Sequence, residues 1–405
     1  MRFPKSAAWL KKGQQSGSLY SSSFMTALHN ESPALAAQLA NSGAAYTFEN
    51  LDYDVQRGII DYSGNNWHSG FEPMLVDAGG RKHLYMPEAQ ASFVETNAKV
   101  VTGDADQEHW ISEFEVVGLS FEEVNTRSLS SSVLGIAGRG WHFRLRWMET
   151  DGGKFWIRRY RNVGAGNDES IAEIAAPEWG AHRGRVALRA SLTNDCSDLE
   201  LFYTFDQLTT GDPLNDANWT QIGAKTAFTG AGLAYGTSPI EPYLGVDSSS
   251  VTPPNQNFYR AVVYEDGTSA SDIVCDLYPD RDNYSVSATG TSAWTDGTGV
   301  VWDRNVPTVG SGEPDFSTGY PIFSGASQSI LLPFSTPDNP HFFAGEMFNH
   351  GFASTRTLGS SRPTSSVIRS ELRVNTSFRT MALMDDGPNQ VLPTVQVEYP
   401  SLTDT

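Results

Sequence analysis

Cysteine is almost missing from this chain: Cys196 and Cys275 are the only two in 405 residues. Two thiols supply neither a disulfide framework nor a cysteine metal quartet, and spacing alone does not say whether they pair. Long apolar runs are missing too. With no run of about 18 apolar residues, no membrane-inserted helix is expected. Basic charge is scarce: 28 Lys and Arg stand against 47 Asp and Glu, a formal charge of −19. Gripping a nucleic-acid backbone takes clustered Lys and Arg, so nucleic acid is not an expected partner. Met1-Arg-Phe-Pro-Lys5 lacks the apolar stretch of a signal peptide, so synthesis in a cytoplasm is expected. The eight His include no His-x-x-x-His pair, which argues against a catalytic zinc site.

What is plentiful points to strands. The chain carries 37 Gly, 21 Pro, 10 Trp, 15 Tyr and 21 Phe, so aromatic residues alternate with frequent turn formers. In Trp141-His-Phe-Arg-Leu-Arg-Trp147, Trp141, Phe143, Leu145 and Trp147 fall on one face and His142, Arg144 and Arg146 on the other. That rhythm predicts an antiparallel strand with one buried and one wet face. Val186, Leu188, Ala190 and Leu192 repeat it, as do Leu199, Leu201, Tyr203 and Phe205, residues 258–264, and Ile273, Cys275 and Leu277. Asp151-Gly-Gly, Gly164-Ala-Gly-Asn and Asp266-Gly supply turns between them. Alternating strands without intervening helices predict a mostly β protein, an antiparallel sandwich or jelly roll.

Three regions are expected. Residues 1–45 form an N-terminal arm, partly helical: Ser32-Pro33, Leu35, Leu39 and Asn41-Ser-Gly43 read as cap, first helical position, apolar pair and stop, and a shorter helix is predicted over 24–28. Residues 46–282 form the sandwich. Residues 283–405, rich in Gly, Pro and Ser, form a smaller β region, read as part of a second sandwich that another chain could complete.

An ordered series of short motifs carries a family resemblance. His83-Leu-Tyr-Met-Pro87, Ser92-Phe-Val and Val101-Thr-Gly-Asp104, followed by the strand 110–117, resemble the opening of laminin G-like (concanavalin A-like) domains in phage minor structural proteins. Residues 199–205, Asn218-Trp-Thr-Gln-Ile-Gly223, Tyr243-Leu-Gly245, Asn257-Phe-Tyr-Arg260 and Val274-Cys-Asp-Leu277 resemble later strands of that group. Trp294-Thr-Asp-Gly-Thr-Gly299, Val301-Trp302 and Tyr320-Pro-Ile-Phe-Ser-Gly325 resemble a passage into a second copy. In such a sandwich Trp219 and Ile222 are expected to bury beside a strand end, with Gly223 allowing the following turn.

Chemistry has to be argued from sites rather than fold. Arg369-Ser-Glu-Leu-Arg373 resembles a strand of alginate lyases, but the Gln-Ile-His and Tyr-x-Lys-x-Gly-x-Tyr motifs that go with it there are missing, so an amphipathic strand with paired charges is the expectation. Glu113-Phe-Glu115 has the spacing of two carboxylates on one strand face, but lacks a third carboxylate after it and is expected to lie on a wet face. Asp195, Asp198, Asp206, Asp212 and Asp216 gather around one polar stretch and give a weak calcium signal; solvated turn residues are the preferred reading. No catalytic residue and no cofactor are expected. Trp156, Tyr160 and Trp179 are candidate glycan-stacking residues.

The resemblance and the incoherent catalytic motifs together imply a non-enzymatic bacteriophage virion protein. It is expected in the tail, as a fibre or minor tail protein, binding host-surface polysaccharide or other virion proteins, and forming a homo-oligomer. The alternatives are a capsid decoration or head-fibre protein and a polysaccharide lyase or hydrolase acting on host capsule.

Overall fold

The computed structural model describes residues 73–76, 81–87, 93–97, 100–101, 105–126, 181–194, 196–227, 241–245, 254–286 and 292–304, with the backbone of ten further strands and the helical residues Asn30 and Pro33. The helices expected over 24–28 and beyond Pro33 otherwise lie outside the described residues. The chain divides into two compact units, Met1–Tyr20 with Asn41–Pro333 and Ser21–Ala40 with Phe334–Thr405.

In the larger unit the strands are, in chain order, β1 (Gly58–Ile59), β2 (Ser69–Gly70), β3 (Met74–Val76), β4 (His83–Met86), β5 (Phe93–Thr96) and β6 (Glu108–Val116). Helix α1 (Phe121–Thr126) follows, then β7 (Ser131–Ile136), β8 (His142–Met148), β9 (Lys154–Asn162), β10 (Glu169–Ala175), β11 (Gly184–Thr193) and β12 (Asp198–Thr204). After helix α2 (Pro213–Asp216) come β13 (Thr220–Ala227), β14 (Pro242–Gly245), β15 (Gln256–Glu265), β16 (Ile273–Leu277), β17 (Asn283–Val286), β18 (Ser292–Thr295) and β19 (Val301–Arg304). One sheet has the order β10-β9-β8-β7-β14-β5-β19-β18-β17; the other has β13-β12-β11-β6-β15-β4-β3, with β16 also on β15. All pairings are antiparallel. The smaller unit holds an antiparallel meander of β20 (Arg356–Ser361), β21 (Ser370–Val374), β22 (Arg379–Met384) and β23 (Val395–Glu398).

The main core lies between the two large sheets. Val186, Leu188, Ala190 and Leu192 of β11 are fully buried, as alternation requires, and join Trp110 and Phe114 of β6 and Phe258 and Val263 of β15. The opposite sheet contributes Val94, Leu134, Leu244, Trp294 and Trp302. Truncating a buried Trp or Phe costs about 3–5 kcal/mol, so these rings fix how the sheets face each other. Cys196 and Cys275 are both buried and are not joined in a disulfide, and burial pushes the Cys275 thiol well up.

Three expectations change. Trp294 and Trp302 pair across β18 and β19, and β19 pairs with β5, so 292–304 complete the nine-stranded sheet instead of leading into a second copy. Asp296, in the turn between them, accepts from the Trp302 Nε1–H at 3.0 Å and from the Asp276 amide at 2.8 Å, tying this hairpin to β16. Ile222 is buried and Trp219 partly so, but Gly223 takes its positive φ of 64° inside β13, beside a register shift against β12, rather than in a turn. Finally, the eight-stranded sheet has no simple wet face. Every residue of β15 is buried, and in β6 all but Glu115. A second apolar cluster, Ile111, Ala187, Val262 and Tyr264 with Leu208 and Leu214, covers part of its outer face.

Candidate functional site

The covering element is the strap 205–219, and charged groups hold it down. Glu113 points outward from β6 and is fully buried, contrary to its expected place on a wet face. Arg81 donates to both its oxygens, at 2.6 and 2.8 Å. Arg185 donates to Oε1 at 2.5 Å, and the Leu208 amide to Oε2 at 3.2 Å. The same Arg185 reaches the Phe205 and Asp206 carbonyls at 3.1 and 3.0 Å. Arg260, also buried, forks onto Asp276 at 2.8 and 2.9 Å and gives its remaining nitrogen to the carbonyls of Leu208, at 3.1 Å, and Thr210. A carboxylate with every acceptor position filled by guanidinium and amide donors is a fastening, not a spare base or nucleophile.

Around this fastening lies a ring-lined polar cluster. The Arg81 guanidinium sits 5.1 Å from the Tyr259 ring and 5.3 Å from the Tyr278 ring. Arg260 and Arg281 approach the same Tyr278 ring at 5.1 and 5.4 Å. Glu115, partly exposed, accepts from the Tyr259 hydroxyl at 2.8 Å and the Asn257 amide at 3.3 Å. Burial, helped by the charge of Glu115, raises the Tyr259 hydroxyl, which stays a protonated donor. His83 stands 5.1 Å from the Tyr259 ring with Nδ1 3.1 Å from the Arg81 carbonyl. Burial lowers its pKa to about 4, the Arg81 charge adding to the effect, so the ring is neutral at pH 7. Burial works against the charge of Arg81, but the Glu113 contacts outweigh it and its pKa rises. Such an arrangement offers fixed donors, acceptors and aromatic faces; it offers no unengaged proton carrier beside a nucleophile.

Three of the aspartates, Asp206, Asp212 and Asp216, belong to the strap. Asp212 caps α2 and accepts from the Tyr264 hydroxyl at 3.1 Å; Asp206 accepts from the Asn218 amide and side chain at 3.0 and 2.8 Å. Asp198 pairs with Lys225 at 2.9 Å, and Asp216 is exposed in α2. Asp195 lies outside the described residues. Among the described residues no group of three His, Cys, Asp or Glu is placed to hold a metal ion.

Of the glycan candidates, Trp156 and Tyr160 fall in the middle of β9, opposite Ala175 and Ile171 of β10; their side chains, and Trp179 altogether, lie outside the described residues. The strand 370–374 places Arg373 opposite Thr357 and Met381; its side chains lie outside as well. No described helix is long and apolar enough to cross a membrane.

No family model and no curated protein matches the chain. Among solved structures, the enzymatically active domain of bacteriophage CBA120 tailspike protein 2 is similar over 51% of this chain and 32% of its own, with a TM-score of 0.35 and 10% identity. The chain thus spans about a third of that domain. The Ruminococcus gnavus IT-sialidase CBM40 bound to α2,3-sialyllactose is similar over 42% of this chain and 83% of its own (TM-score 0.26, 12% identity). A heptameric SAP-like pentraxin from Limulus polyphemus is similar over 44% and 71% (TM-score 0.27, 5% identity).

Proposed function

We propose that the chain is a non-enzymatic structural protein of a bacteriophage particle, tail-associated, whose concanavalin A-like jelly roll binds a host-surface glycan or a neighbouring virion protein. The observation that carries the non-enzymatic part is the state of Glu113. The strand pair of carboxylates read for glycosidase spacing, Glu113 and Glu115, is spent on fastening: Glu113 on two arginines and an amide, Glu115 on Tyr259 and Asn257. Hydrolysis by a carboxylate pair needs one group free to give a proton and the other free to attack or to activate water. The binding part draws on the fixed donors and tyrosine faces around Arg81, groups suited to hydroxyl-rich ligands.

Two experiments test it. The purified full-length protein on a glycan array is expected to bind a polysaccharide of a bacterial surface, and mass spectrometry of purified particles is expected to find the chain. A blank array removes the adhesive half, and absence from particles removes the structural half.

A further inference from the structure

On the outer face of the eight-stranded sheet, one outward position along β11 from the residue opposite Glu113, a cation has no counter-ion in contact among the described residues. Arg189 of β11 lies with its guanidinium carbon 3.7 Å from the centroid of the Phe202 ring and 5.1 Å from that of Trp219. All three side chains are partly exposed, so the stack opens to solvent. The Nε of Arg189 is buried and makes no hydrogen bond, and among the described residues no carboxylate pairs with the guanidinium within 4 Å. Beside it on the same face, His109 of β6 is only 6% exposed; its Nδ1 is 2.9 Å from the Ser191 hydroxyl and its Nε2 has no partner. Every other described arginine of this sheet face, Arg81, Arg185 and Arg260, is engaged by a carboxylate.

A recessed, unpaired guanidinium and a buried imidazole nitrogen without a partner are each costly unless something completes them. Burial lowers the Arg189 pKa to about 10 against the opposing charge of Glu200, and lowers His109 to about 4, so at pH 7 the first is a cation and the second neutral. Glu200 acts on Arg189 through space but is not bonded to it. The Trp219 indole N–H is already given to the Pro213 carbonyl at 3.0 Å, which leaves that residue its ring face alone to offer.

We propose that Arg189, with Phe202, Trp219 and His109, forms an anion subsite that takes the carboxylate of an acidic sugar. The guanidinium would fork onto the carboxylate, and the partly exposed rings would meet the sugar's apolar face. Its glycan identity rests on the binding function proposed above; the anion site itself does not.

The test is thermal shift of the full-length protein with acetate, glucuronate and polygalacturonate, each against its methyl ester, beside the glycan array. The acids are expected to raise the melting temperature and the esters not to. Arg189→Met should abolish the shift and weaken array binding of acidic glycans about tenfold, without lowering the melting temperature of the free protein, because the cation it removes is unpaired. Glu200→Gln should strengthen the shift by removing a competing charge. The subsite is overturned if acids and esters act alike, if Arg189→Met keeps the shift, or if that variant alone destabilises the protein. An acetate shift with a blank array keeps the subsite and removes the glycan reading; array binding indifferent to Arg189→Met does the reverse.

Discussion

Replacing Glu113 by Gln keeps the side chain's shape and removes the charge on which two guanidinium groups converge. The oxygen facing Arg81 or Arg185 becomes an amide N–H, a donor set against donors. Breaking a buried ion pair from one side costs about 3–5 kcal/mol, since the partner charge is left uncompensated. Arg81 and Arg185 keep 13% and 21% side-chain exposure and can recruit some water, so the low end, about 3 kcal/mol, is expected. In a unit of roughly 300 residues, at about 2.1 cal/mol/K per residue, each kcal/mol moves the melting temperature by about 1.5 °C, so a fall of about 4–5 °C is expected. Urea titration followed by tryptophan fluorescence reads the same loss independently. The strap should also loosen, seen as faster amide exchange at Leu208, whose N–H is held by the Glu113 carboxylate. A loss under about 1 kcal/mol would refute the fastening role, because catalytic carboxylates held in wet clefts are expected to be neutral or stabilising to replace.

Other consequences follow from the same contacts. His83 and His109 both have folded pKa values near 4, below the unfolded 6.5, so the unfolded chain takes up protons first as pH falls. Their contribution is complete above pH 6.5 and is lost between about pH 6.5 and 4; a melting curve against pH should slope down there and flatten in His109→Gln. Asp282 has the opposite sign, since burial raises its pKa to about 6: its contribution favours folding below pH about 4 and is lost as pH rises through about 6, so Asp282→Asn should stabilise the protein at pH 7, checked by urea denaturation. A chain ending after residue 282 loses Trp294, Trp302 and the β17–β19 edge, and should fail to give a cooperative unfolding transition, whereas one ending after Pro333 should retain it. Gly267→Ala would place a Cβ 2.0 Å from Asp272 Oδ2, displacing the group that caps Ser269, and should cost about 1 kcal/mol by the same assay.

The inward faces were readable from the chain because burial and strand alternation share a period of two. Val186, Leu188, Ala190 and Leu192, Leu199 with Leu201, and Cys275 with Leu277 meet the core as their spacing requires, whereas Phe205, read in the same rhythm, falls past the end of β12 and is exposed. The outer face was not readable in the same way. Alternation separates two faces but does not say that a strap will cover one of them. The partners of Glu113 lie 32, 72 and 95 residues away in Arg81, Arg185 and Leu208, and no local pattern links them. One signal was present: Ile111 and Val262 are apolar residues on the polar side of their strands, and they stand opposite each other in the β6–β15 register. An apolar pair on a nominally wet face calls for a cover. The aspartates between 195 and 216 gave a weak calcium signal for a related reason, since caps and turns draw on the same residue types as calcium sites. Arg189 gave no signal at all, because a missing counter-ion is visible only once its neighbours are in place.

The proposed binding face holds a glycan without cutting it. The direct measurement incubates the full-length protein with the polysaccharide it retains on the array and follows reducing ends and unsaturated uronates over time. Retention with no release of either is the predicted result. Steady release that disappears in Glu113→Gln would contradict it.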